Sequence, residues 1–160
     1  MLELFRNVFF NNGYTITKSS KDNTMINYKN PNKRYSVDCL FTYDCIVNLY
    51  INIMEKEVVV VKNRQSKKFI LFFYNEENRF LYNEINEDQL TEILDDLVKN
   101  DFELKDYSKI EKNESTHFNT YVKILINNNE VNNKAAKYYL DNKYESLSKE
   151  NIAKLKLLLI

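Results

Sequence analysis

Few residues in this sequence are equipped for acid–base or covalent chemistry. His117 is the only histidine, so a Ser/His/Asp or Cys/His arrangement would have to pass through it. It stands in a polar stretch and reads as a solvent-facing or edge-strand side chain. Cys39 and Cys45 lie six apart in or beside expected strands and read as small buried hydrophobes. With His117 they are too few to close a structural zinc site unless a carboxylate completes it. Gly13 is the only glycine, which excludes a Walker loop, a dinucleotide-binding fingerprint and any other glycine-rich cradle for phosphate. One arrangement keeps an enzyme open: Asp101 and Glu103-Leu104-Lys105 contain the acid-x-Lys spacing with which adjacent strand positions hold a magnesium ion and orient a water. In a chain so rich in Glu and Lys that spacing also arises by chance. The expectation is a protein with no catalytic residue, no cofactor and no metal site, a magnesium-dependent nuclease being the outlying alternative.

Charge is distributed more tellingly than any motif. Residues 75–106 hold eleven acids against three bases, a local charge of −8 in a chain of formal net charge +0. Among them Asp88, Glu92, Asp95 and Asp96 recur at helical spacing opposite Leu90, Ile93, Leu94, Leu97 and Val98. One helix would then turn an apolar face to a core and an acidic stripe to solvent. Such a stripe keeps a protein soluble. It also steers association with a basic protein surface, and competes with nucleic acid for the groove of a nuclease or polymerase. The compensating positive charge is dispersed, with one small cluster in a hairpin loop, Lys62, Arg64, Lys67 and Lys68. A sequence pI near 6.6 does not favour direct nucleic-acid binding.

These residues are positioned by a β-meander. Runs at 14–18, 24–29, 34–40, 45–53, 58–62, 69–74 and 79–85 are rich in Val, Ile, Phe and Tyr and are separated by polar turn clusters, the strand and hairpin pattern. The early runs alternate, as half-buried strands do. Val58 to Val61 and Phe69 to Phe73 are apolar at consecutive positions, so both faces of the sheet should be covered there. Leu2, Phe5 and Phe9 mark a short helix that Gly13 would end in the left-handed conformation. The acidic helix spans 86–100, with Asn86 and Gln89 spaced for a reciprocal cap. Residues 101–110 are ambiguous. Residues 116–126 fit both periods, Phe118, Thr120, Val122, Ile124 and Ile126 alternating while Phe118, Tyr121, Val122 and Leu125 make a helical stripe; their β-branched and aromatic content favours a strand. Helices should follow at 131–142 and 149–159, the second capped by Ser148.

At 160 residues the chain is expected to form one α+β domain over 1–160, a mostly antiparallel meander packed by an N-terminal helix, a central amphipathic helix and a C-terminal helical pair. Its apolar runs fall far short of the roughly 18 residues that span a bilayer, and no basic segment followed by an apolar one opens the chain, so no membrane contact and a cytoplasmic location are expected. With 24 asparagines, one glycine, one proline and no tryptophan, the composition follows AT-rich codons, such as those of phage and other mobile elements. The functional expectation is a small inhibitor that binds another protein with a basic surface, a nuclease for instance. In its sharpest form it blocks a host nucleic-acid enzyme in the manner of an anti-CRISPR, through Asp88, Glu92, Asp95 and Asp96. An immunity protein that neutralises a cognate toxin uses the same physics. A homodimer through a doubly apolar strand remains open in each reading.

Overall fold

A computed structural model describes residues 1–42, 45–74, 79–104, 110–111 and 114–160. The chain divides into two compact units, Met1–Lys112 and Asn113–Ile160. None of the described helices is long and apolar enough to cross a membrane.

The first unit is an antiparallel meander in which every strand pairs with its sequence neighbour: β1 Thr15–Ser19, β2 Met25–Lys29, β3 Ser36–Thr42, β4 Ile46–Ile51, β5 Lys56–Lys62, β6 Phe69–Tyr74, β7 Arg79–Ile85 and the two-residue β8 Ile110–Glu111. The seven expected strands are all present, with ends that differ from expectation by at most two residues. Because side chains alternate between faces, register fixes what is buried together. Ile26, Cys39, Leu49, Val58 and Phe73 stand opposite one another in a row across β2 to β6, and Val47, Val60, Leu71 and Tyr82 form the next row. Both rows join a buried cluster with α1 (Leu2–Asn11) and α2 (Glu87–Lys99). Each large side chain so buried contributes roughly 1.5–3 kcal/mol. Val59, Val61, Ile70 and Phe72 point to the opposite face and are also buried, as the unbroken apolar runs required.

The turns follow from their residues. In Asn30-Pro31-Asn32-Lys33 the Lys33 N–H donates to the Asn30 carbonyl at 3.0 Å and the Asn32 N–H donates to the Asn30 side chain at 2.9 Å, with proline supplying the fixed φ between them. The β1 edge is short, bulged between Ile16 and Lys18, and exposed along its length, features that discourage pairing with another chain.

Two helices on the sheet end in left-handed turns. At α1, Gly13 takes φ +82, its N–H reaches the Phe10 carbonyl at 3.2 Å, and the Tyr14 N–H reaches that of Phe9 at 3.0 Å. This is a Schellman closure, completed by the edge-to-face contact of Phe9 with Tyr14, ring centroids 5.2 Å apart. At α2 the Phe102 N–H reaches the Leu97 carbonyl at 2.7 Å, and two successive residues, Asp101 (φ +54) and Phe102 (φ +57), are left-handed. Residues 101–102, which the sequence left ambiguous, therefore form a turn.

The second unit consists of α3 Glu114–Asn127, α4 Asn133–Asn142, a 3₁₀ turn Tyr144–Ser146 and α5 Lys149–Leu157. The strand expected over 116–126 is thus a helix, and His117 lies on its first turns and not on an edge strand. The helical period wins because it buries Val122, Ile124 and Leu125 and is closed by a further left-handed residue, Asn129 (φ +56), with the Glu130 N–H on the Leu125 carbonyl at 2.9 Å. Asn119 then ties α3 to α5. Its amide oxygen accepts from the Ser148 N–H at 2.6 Å and from the buried Asn151 amide at 2.9 Å, while its own amide donates to the Ser146 carbonyl. Such a paired set is expensive to break by halves, because the remaining amide would stay buried and unpaired. Phe118 packs edge-on against Tyr139, centroids 5.8 Å apart.

Candidate protein-interaction face

The acidic stripe is carried by α2, and α2 is held at both ends. Its N-terminus is a full capping box: the Gln89 N–H donates to the Asn86 side chain at 2.8 Å and the Asn86 N–H to the Gln89 side chain at 3.0 Å. Such caps are worth about 1 kcal/mol. Leu90, Leu94, Leu97 and Val98 are buried and Ile93 half-buried, while Asp88, Glu92 and Asp96 are exposed. The expected separation of faces is present.

The four acids do not act alike. Asp95 is half-buried: one oxygen accepts from the Asn12 amide at 2.8 Å and the other meets the Lys99 ammonium at 2.7 Å. Lys99, and then Asn12, hold its carboxyl below the ordinary aspartate range. Asp95 therefore fastens α2 to the end of α1. Asp88, Glu92 and Asp96 form no ion pair among the described residues, so three acids, not four, remain for an outside cation. No feature of the sequence announced the tie to Asn12, which lies 83 residues away.

Below Asp96 the surface is hollowed. A groove of about 240 Å³ is lined by Tyr82, Ile93, Leu97 and Leu104, with Asp96, Asn100 and Glu103 as its polar members. Asp96 and Glu103 are exposed, whereas Tyr82 and Leu97 are buried, which makes the former the rim and the latter the floor.

Of the nuclease-like spacing, Asp101 and Glu103 fall within the described residues. Asp101 sits in the turn after α2, pairs with Lys33 at 2.7 Å and accepts from the Tyr35 hydroxyl at 2.8 Å, and Tyr35 in turn accepts from Tyr14 at 3.1 Å. Lys33, then Tyr35, hold the Asp101 carboxyl below its usual range, while burial, first of all, raises the Tyr35 hydroxyl well above its own and keeps it a neutral donor. Glu103 is exposed, and Lys105 lies outside the described residues. No three His, Cys, Asp or Glu side chains among the described residues gather closely enough to hold a metal ion. Cys39 and Cys45 are buried and form no disulfide, and burial pushes the Cys39 thiol far up, which fits the reading of a small hydrophobe.

The basic cluster occupies the β5–β6 turn. Asn63 closes it, accepting from the Lys67 N–H and donating to the Lys68 carbonyl, both at 2.8 Å. Lys62 lies 5.9 Å over the Phe69 ring, and Arg64, Lys67 and Lys68 are exposed.

No family model matches the chain, and none of the curated proteins or solved structures compared with it matches either.

Proposed function

We propose that this chain is a non-catalytic binding protein that occludes a basic surface of another protein, a nucleic-acid enzyme in the sharpest version, with Asp88, Glu92 and Asp96 as its contacts. The observation that carries the reading is the contrast within one helix. Asp95 and Lys99 form an ion pair, whereas the three neighbouring carboxylates stand on a capped, core-anchored helix and form no ion pair among the described residues. A fixed row of unneutralised charge orders little on binding, so more of its attraction to a complementary surface survives as affinity and as association rate. Origin in a phage or other mobile element draws its support from the composition, and a cytoplasmic site of action belongs to the same reading. The immunity-protein version shares this geometry and is separated by its captured partner, a toxin in place of a host enzyme.

The test is affinity capture from host lysate at low and high salt, comparing the native chain with an Asp88→Lys/Glu92→Lys/Asp96→Lys variant. The reading expects a basic nucleic-acid enzyme retained at low salt, shed near 1 M where the screening length is about 3 Å, and lost in the variant. Reversal of Lys67 and Lys68 to Glu should leave capture unchanged. Equal capture by the charge-reversed helix overturns the reading.

A further inference from the structure

We infer that the groove beside α2 is the seat for one arginine side chain of the partner, an inference that rests on the binding reading above and names the chemistry it selects. Among the described residues, the groove's lining includes no Lys or Arg. One N–H of the Asn100 amide donates to the Asp96 carbonyl at 2.7 Å, and the amide oxygen is an acceptor that a ligand could use. Ile93, Leu97 and Leu104 supply an apolar wall, Tyr82 an aromatic ring, and Asp96 and Glu103 two carboxylates that form no ion pair among the described residues. An apolar occupant would strip water from those carboxylates without replacing it, and a phosphate would be repelled. The occupant that fits has an apolar stem and a cationic head that only donates. Arginine fits better than lysine: its planar head is weakly hydrated, stacks on aromatic rings, and forks onto carboxylates. The open stripe attracts any basic surface, whereas the groove chooses one with an arginine standing proud of it.

The test titrates the full chain with N-acetyl-arginine amide and with its uncharged isostere N-acetyl-citrulline amide, read by backbone amide NMR. The expected result is shifts concentrated at Ile93, Leu97, Asn100 and Glu103, with the arginine compound bound about three- to tenfold more tightly than citrulline. That margin should vanish in Asp96→Asn/Glu103→Gln, a pair of substitutions that preserves shape. Equal binding of citrulline, or shifts spread as strongly along Asp88 and Glu92, overturns the inference. Partner capture by this doublet and by Asp88→Lys/Glu92→Lys separates the two levels. If only the second doublet loses the partner, the groove assignment fails and the acidic-helix reading stands. If arginine amide fills the groove while neither doublet alters capture, the acidic-helix reading fails instead.

Discussion

The ends of α1 and α2 solve one geometric problem with opposite chemistry. Both need a residue in the left-handed region, where a side chain costs roughly 1–2 kcal/mol. At α1 the cost is avoided: Gly13 has no Cβ, and one added there would meet the Asn30 amide nitrogen at 3.3 Å. At α2 the cost is offset: Asp101 accepts the strained backbone, and its carboxylate takes up Lys33 and the Tyr35 hydroxyl. In a chain with a single glycine, a left-handed helix end is reached by absence at one site and by bonding at the other. Asp101, the most chemical-looking acid in the sequence, is thus occupied in ending the helix that carries the acidic stripe.

The largest effect should come from removing the aromatic anchor next in the chain to Asp101. Phe102 is fully buried and packs edge-on against Tyr35, centroids 6.1 Å apart, so Phe102→Ala should cost about 3–5 kcal/mol in urea unfolding. A loss under about 1 kcal/mol would mean the α2 closure is not anchored in the core.

Next come the left-handed residues themselves. Gly13→Ala should cost about 1–2 kcal/mol, all of it backbone and crowding. Asp101→Ala should cost a similar amount through lost bonding, and Asp101→Gly should recover about 1 kcal/mol of that loss. If Asp101→Gly and Asp101→Ala unfold at the same urea concentration, strain at this position is negligible and the comparison collapses.

The smallest effect is a pH dependence that only one end should show. The Asp101 carboxyl is held below its unfolded value of about 4, so it stabilises the fold above that pH and loses the contribution as pH falls through the folded value. The native chain's advantage over Asp101→Asn should therefore be full at about pH 7 and shrink by about pH 3. The deficit of Gly13→Ala should stay constant over the same range. A pH-independent deficit in Asp101→Asn would show that the carboxylate's charge contributes nothing.

Legibility in the sequence divides along the same line. Periodicity of two located the strands, because register makes each alternation buried or exposed as a set. Gly13 announced its own conformation, since no other residue adopts it so freely. The Asn86 and Gln89 spacing gave the cap of α2. Asp101 gave no such notice, because an aspartate in the left-handed region is defined by partners at positions 33 and 35. Over 116–126 the β-branched and aromatic residues carried a local preference that burial of Val122, Ile124 and Leu125 overrode. The stripe was legible as a pattern, but the removal of Asp95 from it was not. The groove needs Tyr82 from a strand and Leu104 from beyond the helix, and no local pattern joins those two.

Asn12 and Gly13 are also the chain's only Asn-Gly pair, the dipeptide most prone to lose its amide when the glycine nitrogen attacks the asparagine side chain. Here that nitrogen donates to Phe10, and the Asn12 amide is engaged by the Val8 carbonyl at 2.7 Å and by Asp95 at 2.8 Å, so neither partner is free to cyclise. The fold thus guards the chain against its own ageing. Protein held unfolded in urea should accumulate the aspartate and isoaspartate products at position 12 by peptide mapping, while native protein stays intact. A molecule so aged would refold with a second carboxylate facing Asp95 where an amide donor should be, and would carry a lasting record of time spent unfolded.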